Sequence, residues 1–202
     1  GLWVMVWLPL ILMLLERAIQ KRSIATAAWA GCALGVQFLG GHLQYSAYVL
    51  VGCLIFLLWR LGISRNERPR VLGCAALALG LGFGLAAAQV LPTLELAARC
   101  QRPGLSYADA LRSALPATHL ASYLVPNFFG NPSAHNYWGH LAAGRKEPGL
   151  FMETCGYVGI LTLALAISGL GVRARGRGLL AGMAAFALLA ALGTPAYGLL
   201  YY

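Results

Sequence analysis

The fold of this chain is decided by residues 71–94, which read VLGCAALALGLGFGLAAAQVLPTL. Gln89 is the only strongly polar side chain in this stretch. An amphipathic helix of a soluble protein would carry polar residues at a period of about 3.6, and none recurs here. A helix that crosses a bilayer needs about 20 predominantly apolar residues. The stretch therefore predicts a membrane-spanning helix.

Four further uncharged runs, 2–15, 23–59, 154–172 and 178–202, extend this prediction to the rest of the chain. The run 23–59 is interrupted at Gly40-Gly41-His42, which predicts two helices joined by a tight turn. Charged residues are 10% of the chain, against roughly 25% in an ordinary soluble domain. The sequence thus predicts an all-α, polytopic integral membrane protein with about six transmembrane helices in a single membrane domain, 1–202. The spans are expected at 2–17, 23–40, 44–61, 71–97, 154–172 and 178–194, with one large extracytoplasmic loop over 98–153 that carries short interfacial helices.

The net charge of +9 could indicate a nucleic-acid partner, but the distribution of the basic residues does not favour one. Short connectors that are rich in Lys and Arg stay on the cytoplasmic side of a membrane. Three such connectors follow the first, third and fifth predicted spans, so a six-helix path places them on one face, where they also attract anionic lipid headgroups. They hold ten of the fifteen basic residues: Arg17, Lys21, Arg22, Arg60, Arg65, Arg68, Arg70, Arg173, Arg175 and Arg177.

Two further features concern the ends of the chain and its cysteines. The chain enters its first span directly after Gly1 and ends in an apolar run, so we expect an internal piece of a longer protein.

Cys100 and Cys155 flank the outer loop, and a disulfide between them would close it in an oxidising compartment. The other three cysteines fall inside predicted spans, where Cys behaves as a small hydrophobic residue.

The entry to the outer loop carries polar residues on roughly one helical face. Gln89, Pro92 and Glu95 are spaced by three and Arg99 lies four beyond Glu95. Pro92 is expected to kink the helix near its outer end. Two interpretations stay open at this point: a helix end with an interfacial Glu–Arg pair, or a polar stripe that faces a cavity between helices.

Inside the loop, Ser106 and Asp109 have the spacing of a capping box, which predicts a short helix through about Leu115. A second helical stretch, Thr118–Leu124, is expected to present Leu120, Tyr123 and Leu124 as its apolar side. A segment rich in aromatic residues and amides then leads to His135, Tyr137, Trp138 and His140. Interfacial aromatics are common in membrane proteins, but this mixture of stacking and hydrogen-bonding side chains is also what carbohydrate recognition uses.

The exit from the loop carries Glu153 at the start of the fifth predicted span, where the helix dipole favours a carboxylate. Alternatively, Glu153 and Glu95 line one outward-facing vestibule together with His135, His140 and a basic partner from Arg99 or Arg102. A divalent cation is left open as a cofactor, because carboxylates are its usual ligands. No metal site is assigned, since the five-residue spacing of His135 and His140 is not a helical ligand spacing.

Six short motifs stand in order along the chain: Trp7–Leu10 running into Glu16-Arg17, Gly41–Gln44, Gln89–Glu95, Pro126–Gly130, Glu153 with Tyr157–Gly159, and Leu192–Tyr197. In order and spacing they resemble the bacterial YfhO-like membrane protein family, which is similar to the GT-C superfamily of glycosyltransferases. The resemblance implies transfer of a sugar from a polyprenyl-phosphate carrier to an envelope glycan or teichoic-acid-like acceptor, outside the bacterial cytoplasmic membrane. It also implies an acidic catalytic base in the first extracytoplasmic loop, which we expect upstream of residue 1.

Taken with this resemblance, the loop residues form a hypothesis for a substrate-binding site. Two other classes of function stay open, a transporter or flippase of an envelope lipid and a non-catalytic membrane scaffold. A transporter predicts polar residues at mid-membrane depth, whereas the spans are nearly free of them apart from Gln37 and Gln89. The residues of the predicted substrate-binding site are Glu95, Arg99, Arg102, His135, Tyr137, Trp138, His140 and Glu153.

The topology can be tested by cysteine labelling in a background without the native cysteines. We expect Ser133→Cys to react with a membrane-impermeant thiol reagent in intact cells, because residues 100–152 are predicted to be extracytoplasmic. Ser64→Cys lies in a basic connector and is expected to react only after permeabilisation. Labelling of Ser64→Cys in intact cells would contradict the predicted topology.

Overall fold

A computed structural model describes residues 2–63, 65–99, 106–144, 151–173 and 176–201 of the chain. All regular structure in these residues is helical, which confirms the predicted all-α class. The described chain divides into two compact units, unit 1 over 1–102 and unit 2 over 103–202.

The described residues of unit 1 form five α-helices: α1 Leu2–Met5, α2 Leu8–Lys21, α3 Ile24–Phe38, α4 Leu43–Ile63 and α5 Arg68–Arg99. Three helical stretches are long and apolar enough to cross a membrane, namely Trp3–Lys21, Leu43–Ile63 and Arg65–Arg99. Helix α3 is apolar but shorter. Its 15 residues extend about 22 Å at 1.5 Å per residue, less than the roughly 30 Å of a hydrocarbon core. The long helices indicate a membrane protein.

Local sequence explains where these helices begin and end. The Ser23 side chain caps α3 by accepting a hydrogen bond from the Thr26 backbone N–H at 3.2 Å. Arg22 ends α2 in the left-handed region, with φ of 54°. The break predicted at Gly40-Gly41-His42 is confirmed, because Gly41 has φ of 80° between the end of α3 and the start of α4.

The core of unit 1 is a close crossing of α3 and α5, the most extensive helix pair in the structure. A Cβ added at Gly31 would lie 2.8 Å from the Ala78 carbonyl oxygen, and one at Gly35 would lie 2.6 Å from Leu85 Cβ. From the other side, a Cβ at Gly82 would lie 2.7 Å from Leu34 Cδ2. Small residues at spacings of four let helix backbones approach in this way. The uniformly apolar run 71–94 therefore has one face, which includes Ala78 and Gly82, that packs on α3.

A network of charged side chains joins the two basic connections of unit 1. The Arg60 side chain is buried, and its Nε lies 3.2 Å from Glu16 Oε2 while its Nη2 lies 3.1 Å from Glu67 Oε2. Arg70 Nη1 pairs with Glu67 Oε1 at 3.1 Å and donates to the Ile19 carbonyl at 3.3 Å. The first and third predicted connections thus lie at one end of unit 1, as the alternation of spans requires. The side of the membrane on which they lie stays a prediction.

Unit 2 contains short helices followed by an apolar helical pair. The short helices are α6 Tyr107–Arg112, α7 Ala121–Leu124, α8 Gly139–Ala142 and α9 Phe151–Thr154. The apolar pair is α10 Ile160–Gly171 and α11 Arg177–Ala191, and α12 Gly198–Tyr201 follows. Arg177 Nη1 donates to the carbonyls of Leu170 and Val172 at 2.9 and 3.1 Å, which satisfies acceptors at the end of α10.

The fifth and sixth predicted spans differ from the helices that the structure shows. The expected start at residue 154 is wrong by several residues, because α10 begins at Ile160. The backbone of Gly156 lies against the Tyr123 ring, and Gly159 has φ of 91°, so residues 155–159 follow a non-helical path. Both α10 and α11 are apolar but shorter than a typical span. The count of six spans stays a prediction.

The predicted loop helix from Ser106 is confirmed in a shorter form. The Ser106 hydroxyl accepts the Asp109 backbone N–H at 3.2 Å and donates to Asp109 Oδ2 at 2.6 Å. The helix ends at Arg112 rather than near Leu115. Leu115 instead donates its N–H to the Ala191 carbonyl at 2.8 Å, so this segment packs on the end of α11.

The α3–α5 crossing can be tested with two glycine substitutions. Gly31→Ala is expected to lower the free energy of unfolding by about 1–3 kcal/mol, because its methyl group meets the backbone of α5. Gly84→Ala is the matched control, since a Cβ there meets nothing within 4 Å. It is expected to be neutral or to stabilise by up to about 1 kcal/mol through helix propensity. Unfolding in detergent, followed by circular dichroism, measures both, and equal effects would contradict the close crossing.

Candidate functional site

The most organised polar and aromatic region of unit 2 is a cluster of six rings, which we call the aromatic cluster. The His119 and Phe129 rings stack with centroids 4.5 Å apart, and Trp138 meets Phe129 edge-on at 5.0 Å. Phe128 packs against Phe129 at 4.9 Å. The members of the cluster are His119, Phe128, Phe129, Tyr137, Trp138 and Phe151.

Hydrogen bonds fix the segments that carry these rings. The Ser122 hydroxyl lies 2.6 Å from the His119 carbonyl oxygen and 3.2 Å from that of Thr154, which ties α7 to the end of α9. The Trp138 backbone N–H donates to the Phe129 carbonyl at 2.9 Å. Gly130 has φ of 79° and lies against the backbone of Asn136, so only a residue without a Cβ fits there.

His119 is the central member that sequence reasoning missed. It is buried, with 2% of its surface exposed. Its Nε2 lies 3.5 Å from the Tyr137 hydroxyl. The buried residues of the stretch 118–124 are His119 and Ser122, whereas Leu124 is 57% exposed, and the interfacial role of its apolar side stays a prediction. The stretch begins as a 3-10 helix, Ala117–Leu120, and in that helix residues three apart share a face.

The cluster is tightly packed on its inner side and open on its outer side. A cavity of about 10 Å³ lies among His119, Ser122, Phe129 and Phe151, which is about the size of one water. Phe128 and Trp138 are 47% and 46% exposed, and their ring centroids lie 6.4 Å apart. A ligand larger than water would therefore contact the outer faces of these two rings rather than a closed pocket.

The predicted site residues of unit 2 are placed around this cluster. Tyr137 and Trp138 belong to it, and the His140 ring lies 5.9 Å from that of Tyr137. Nδ1 of His140 is buried and has no hydrogen-bond partner among the described residues. His135 is exposed and has φ of 54° at the end of the 3-10 helix Pro132–Ala134. The structure therefore brings three of these four residues together and leaves His135 on an exposed turn.

Glu95 and Arg99, two predicted site residues of unit 1, form a surface ion pair. Arg99 Nη2 lies 2.6 Å from Glu95 Oε1, and the two side chains are 77% and 63% exposed. Helix α5 continues through Pro92, and the Thr93 hydroxyl donates to the Gln89 carbonyl at 2.7 Å. Of the two interpretations of this helix end, the exposed Glu–Arg pair is the one that the structure shows, and the kink stays a prediction.

Several predictions fall on parts of the chain that the structure does not describe. Arg102, Cys100 and the side chain of Glu153 lie outside the described residues, so the shared vestibule and the disulfide stay predictions. Cys155 is exposed in the structure. Within the described ranges, no three His, Cys, Asp or Glu side chains come close enough to hold a metal ion.

Comparison of the chain with protein-family models, curated proteins and solved structures finds no match. The fold defines the class of protein: an all-helical chain with three helices that are long and apolar enough to cross a membrane.

The packing of the aromatic cluster can be tested with two neighbouring phenylalanines. Phe129→Ala is expected to lower the free energy of unfolding by about 3–5 kcal/mol, because Phe129 is 5% exposed and contacts three rings. Phe128→Ala removes the same side chain from a 47% exposed position. Its cost is expected to be about 1 kcal/mol, and unfolding in detergent compares the two. Equal losses would show that the cluster does not pack around Phe129.

Proposed function

We propose that this chain is part of a membrane glycosyltransferase of the GT-C type, related to the YfhO-like family. It transfers a sugar from a polyprenyl-phosphate carrier to an envelope glycan or a teichoic-acid-like acceptor. In this proposal α3, α10 and α11 complete a path of six spans in the bacterial cytoplasmic membrane. Residues 98–153 then lie on the extracytoplasmic side, where the carrier presents its sugar.

The observation that carries the proposal is the pair of half-exposed rings, Phe128 and Trp138, on the outer side of the aromatic cluster. The apolar face of a sugar packs on aromatic rings, and a few placed polar groups fix its orientation. Asn127, His135 and Asn136 are exposed in the same short segment. The Asn136 Oδ1 accepts the Asn131 backbone N–H at 2.8 Å, so its amide NH₂ is directed away from that bond and is available to a hydroxyl.

The rigidity of this segment also supports a binding role. A binding surface is most effective when its side chains are held in place before the ligand arrives, because less conformational entropy is lost on binding. Phe128 and Trp138 both pack against the buried Phe129 ring, which itself stacks on His119. The two rings are therefore fixed from behind while their outer faces stay accessible.

Two kinds of side chain are proposed to take part in the chemical step, arginines and carboxylates. A phosphate leaving group needs cationic partners that donate charge-assisted hydrogen bonds. Arg99 and Arg102 are the basic residues proposed for this role, and the carboxylates of Glu95 and Glu153 are proposed to bind a hydroxyl or a metal ion. The acidic catalytic base that the family resemblance implies is not assigned to a residue of this chain.

The transporter alternative rests on polar groups inside spans, and the described residues of unit 1 include an uncharged buried pair between α3 and α4. Gln37 and Ser46 are fully buried, and Gln37 Nε2 donates to Ser46 Oγ at 2.7 Å. Ser46 Oγ in turn donates to the His42 carbonyl at 3.2 Å. Both residues lie within a turn of the connection between α3 and α4. The pair therefore stabilises this connection and does not form a transport site at mid-membrane depth. The observation favours surface chemistry over translocation.

The proposed function can be tested in the full-length protein expressed in cells that lack the chromosomal copy. Trp138→Ala is expected to reduce sugar transfer to the envelope polymer by about tenfold, since an aromatic stacking contact contributes about 0.5–1.5 kcal/mol beyond its area. Trp138→Phe is expected to retain most of the transfer. The readout is labelled sugar in the polymer, normalised to the amount of protein in the membrane.

Leu141→Ala is the matched control for this experiment, because Leu141 is 65% exposed on α8, three residues from Trp138. It is expected to leave transfer unchanged. Normal transfer in Trp138→Ala and Phe128→Ala would reject the aromatic surface as a sugar site. Loss of transbilayer movement of the carrier with unchanged transfer would support the flippase alternative instead.

A further inference from the structure

One end of unit 1 carries a strong positive charge whose neighbouring carboxylates are both engaged. Glu16 and Glu67 are the acidic residues of this end, and both pair with the buried Arg60 at 3.2 and 3.1 Å. The other oxygen of Glu67 pairs with Arg70 at 3.1 Å. Gln20 Nε2 donates to the other oxygen of Glu16 at 2.6 Å. The two negative charges are therefore neutralised at the helix ends.

Five basic residues on the same two connections remain exposed, and we call them the cationic rim. Arg68 Nε donates to the Leu61 carbonyl at 3.1 Å, which engages one of its five donors. No member of the rim forms an ion pair within the described residues. The members are Arg17, Lys21, Arg22, Arg65 and Arg68. This end of unit 1 therefore presents positive charge that no carboxylate of the described chain offsets.

Apolar side chains directly adjoin the rim. Ile24 begins α3 two residues after Arg22 and is 77% exposed, and Ile63 ends α4 with 46% exposure. Trp59 is half-buried one turn before the end of α4, and indole rings of this kind are enriched at the headgroup level of membranes. Positive charge beside an exposed apolar belt is complementary to a headgroup layer, whose phosphates lie next to acyl chains. A nucleic acid would pair with the charge but would leave the apolar belt in water.

We propose that the cationic rim is a binding surface for the phosphate groups of anionic phospholipids. The partner is the headgroup layer of the membrane itself, rather than free phosphate or nucleic acid. The inference does not depend on the proposed glycosyltransferase activity, because it rests on unit 1 alone. In this surface, Arg60 has an indirect role: by pairing with Glu16 and Glu67 it keeps their charge from opposing the lipid phosphates.

The experiment uses the full chain purified in detergent and titrated with dioleoylphosphatidylglycerol or dioleoylphosphatidylcholine in mixed micelles. Binding is followed by the shift in melting temperature and by native mass spectrometry. We expect the anionic lipid to bind at least tenfold more tightly, and the difference to fall in about 0.5 M NaCl because screening shortens the range of the attraction. Equal binding of the two lipids would overturn the proposal.

Charge-neutralising substitutions then locate the binding surface. Each rim cation is expected to contribute about fivefold in affinity, which corresponds to about 1 kcal/mol per charge near an anionic surface. The triple variant Arg17→Gln, Lys21→Gln, Arg22→Gln is therefore expected to bind the anionic lipid on the order of 100-fold more weakly. Arg112→Gln, at the exposed ion pair with Asp109 on α6, is the control and is expected to leave lipid binding unchanged. An unchanged affinity in the triple variant would overturn the proposal.

A charge-adding pair of variants gives an independent test that leaves the rim intact. Asn66→Glu places a carboxylate on the exposed turn between Arg65 and Arg68 and is expected to weaken anionic-lipid binding severalfold. Gln44→Glu adds the same charge at the opposite end of α4 and is expected to have little effect. If inorganic phosphate at equal phosphate concentration gave the same thermal shift, or a short DNA duplex displaced the lipid, the surface would not be lipid-specific and the proposal would be rejected.

Discussion

The close approach of α3 and α5 is the constraint on which the rest of unit 1 depends. Lipid tails are as apolar as leucine side chains, so helices in a bilayer gain no hydrophobic free energy by associating with one another. Association must come from dispersion contacts between well-fitted surfaces. Gly31 and Gly35 on α3 and Gly82 on α5 remove the side chains that would hold the two backbones apart. The glycines that weaken a helix in water thus allow these two helices to pack.

The charged network at the basic end of unit 1 complements this apolar contact. A buried guanidinium is costly unless opposite charges pair with it. Arg60 has a carboxylate on either side, and its Nη2 donates a hydrogen bond to Glu67. The pairing links α4 to α2 and to the turn before α5, and Arg70 joins the start of α5 to α2 through its hydrogen bond to the Ile19 carbonyl. Because partly buried ion pairs are poorly screened and geometrically demanding, the network favours one register of the connections over others. It also leaves the exposed charge of this end entirely positive, which is the basis of the proposed lipid surface.

Unit 2 is ordered in a different way, because its polar segment contains only short helices. The short helices bury few backbone hydrogen bonds, so order comes from stacked rings and side-chain hydrogen bonds. His119 combines both, since its ring stacks on Phe129 and its carbonyl accepts from Ser122. The outer rings Phe128 and Trp138 gain fixed positions from this arrangement while about half of their surface stays exposed. That combination of fixed and accessible aromatic surface is what the proposed sugar-binding role requires.

Local sequence determined the helical membrane class, the break at Gly41, the capping of α6 by Ser106 and the Glu95–Arg99 pair, because each depends on composition or on residues within about four positions. Tertiary structure alone decided which glycines face another helix, since Gly82 and Gly84 on α5 look alike in sequence but only Gly82 contacts α3. It also decided that Arg60 is buried between two carboxylates distant in sequence and that His119 lies inside unit 2. The start of α10 at Ile160 likewise follows from the contact of Gly156 with Tyr123. These features depend on contacts between different segments of the chain. The packing free energy that stabilises them cannot be predicted from local sequence patterns.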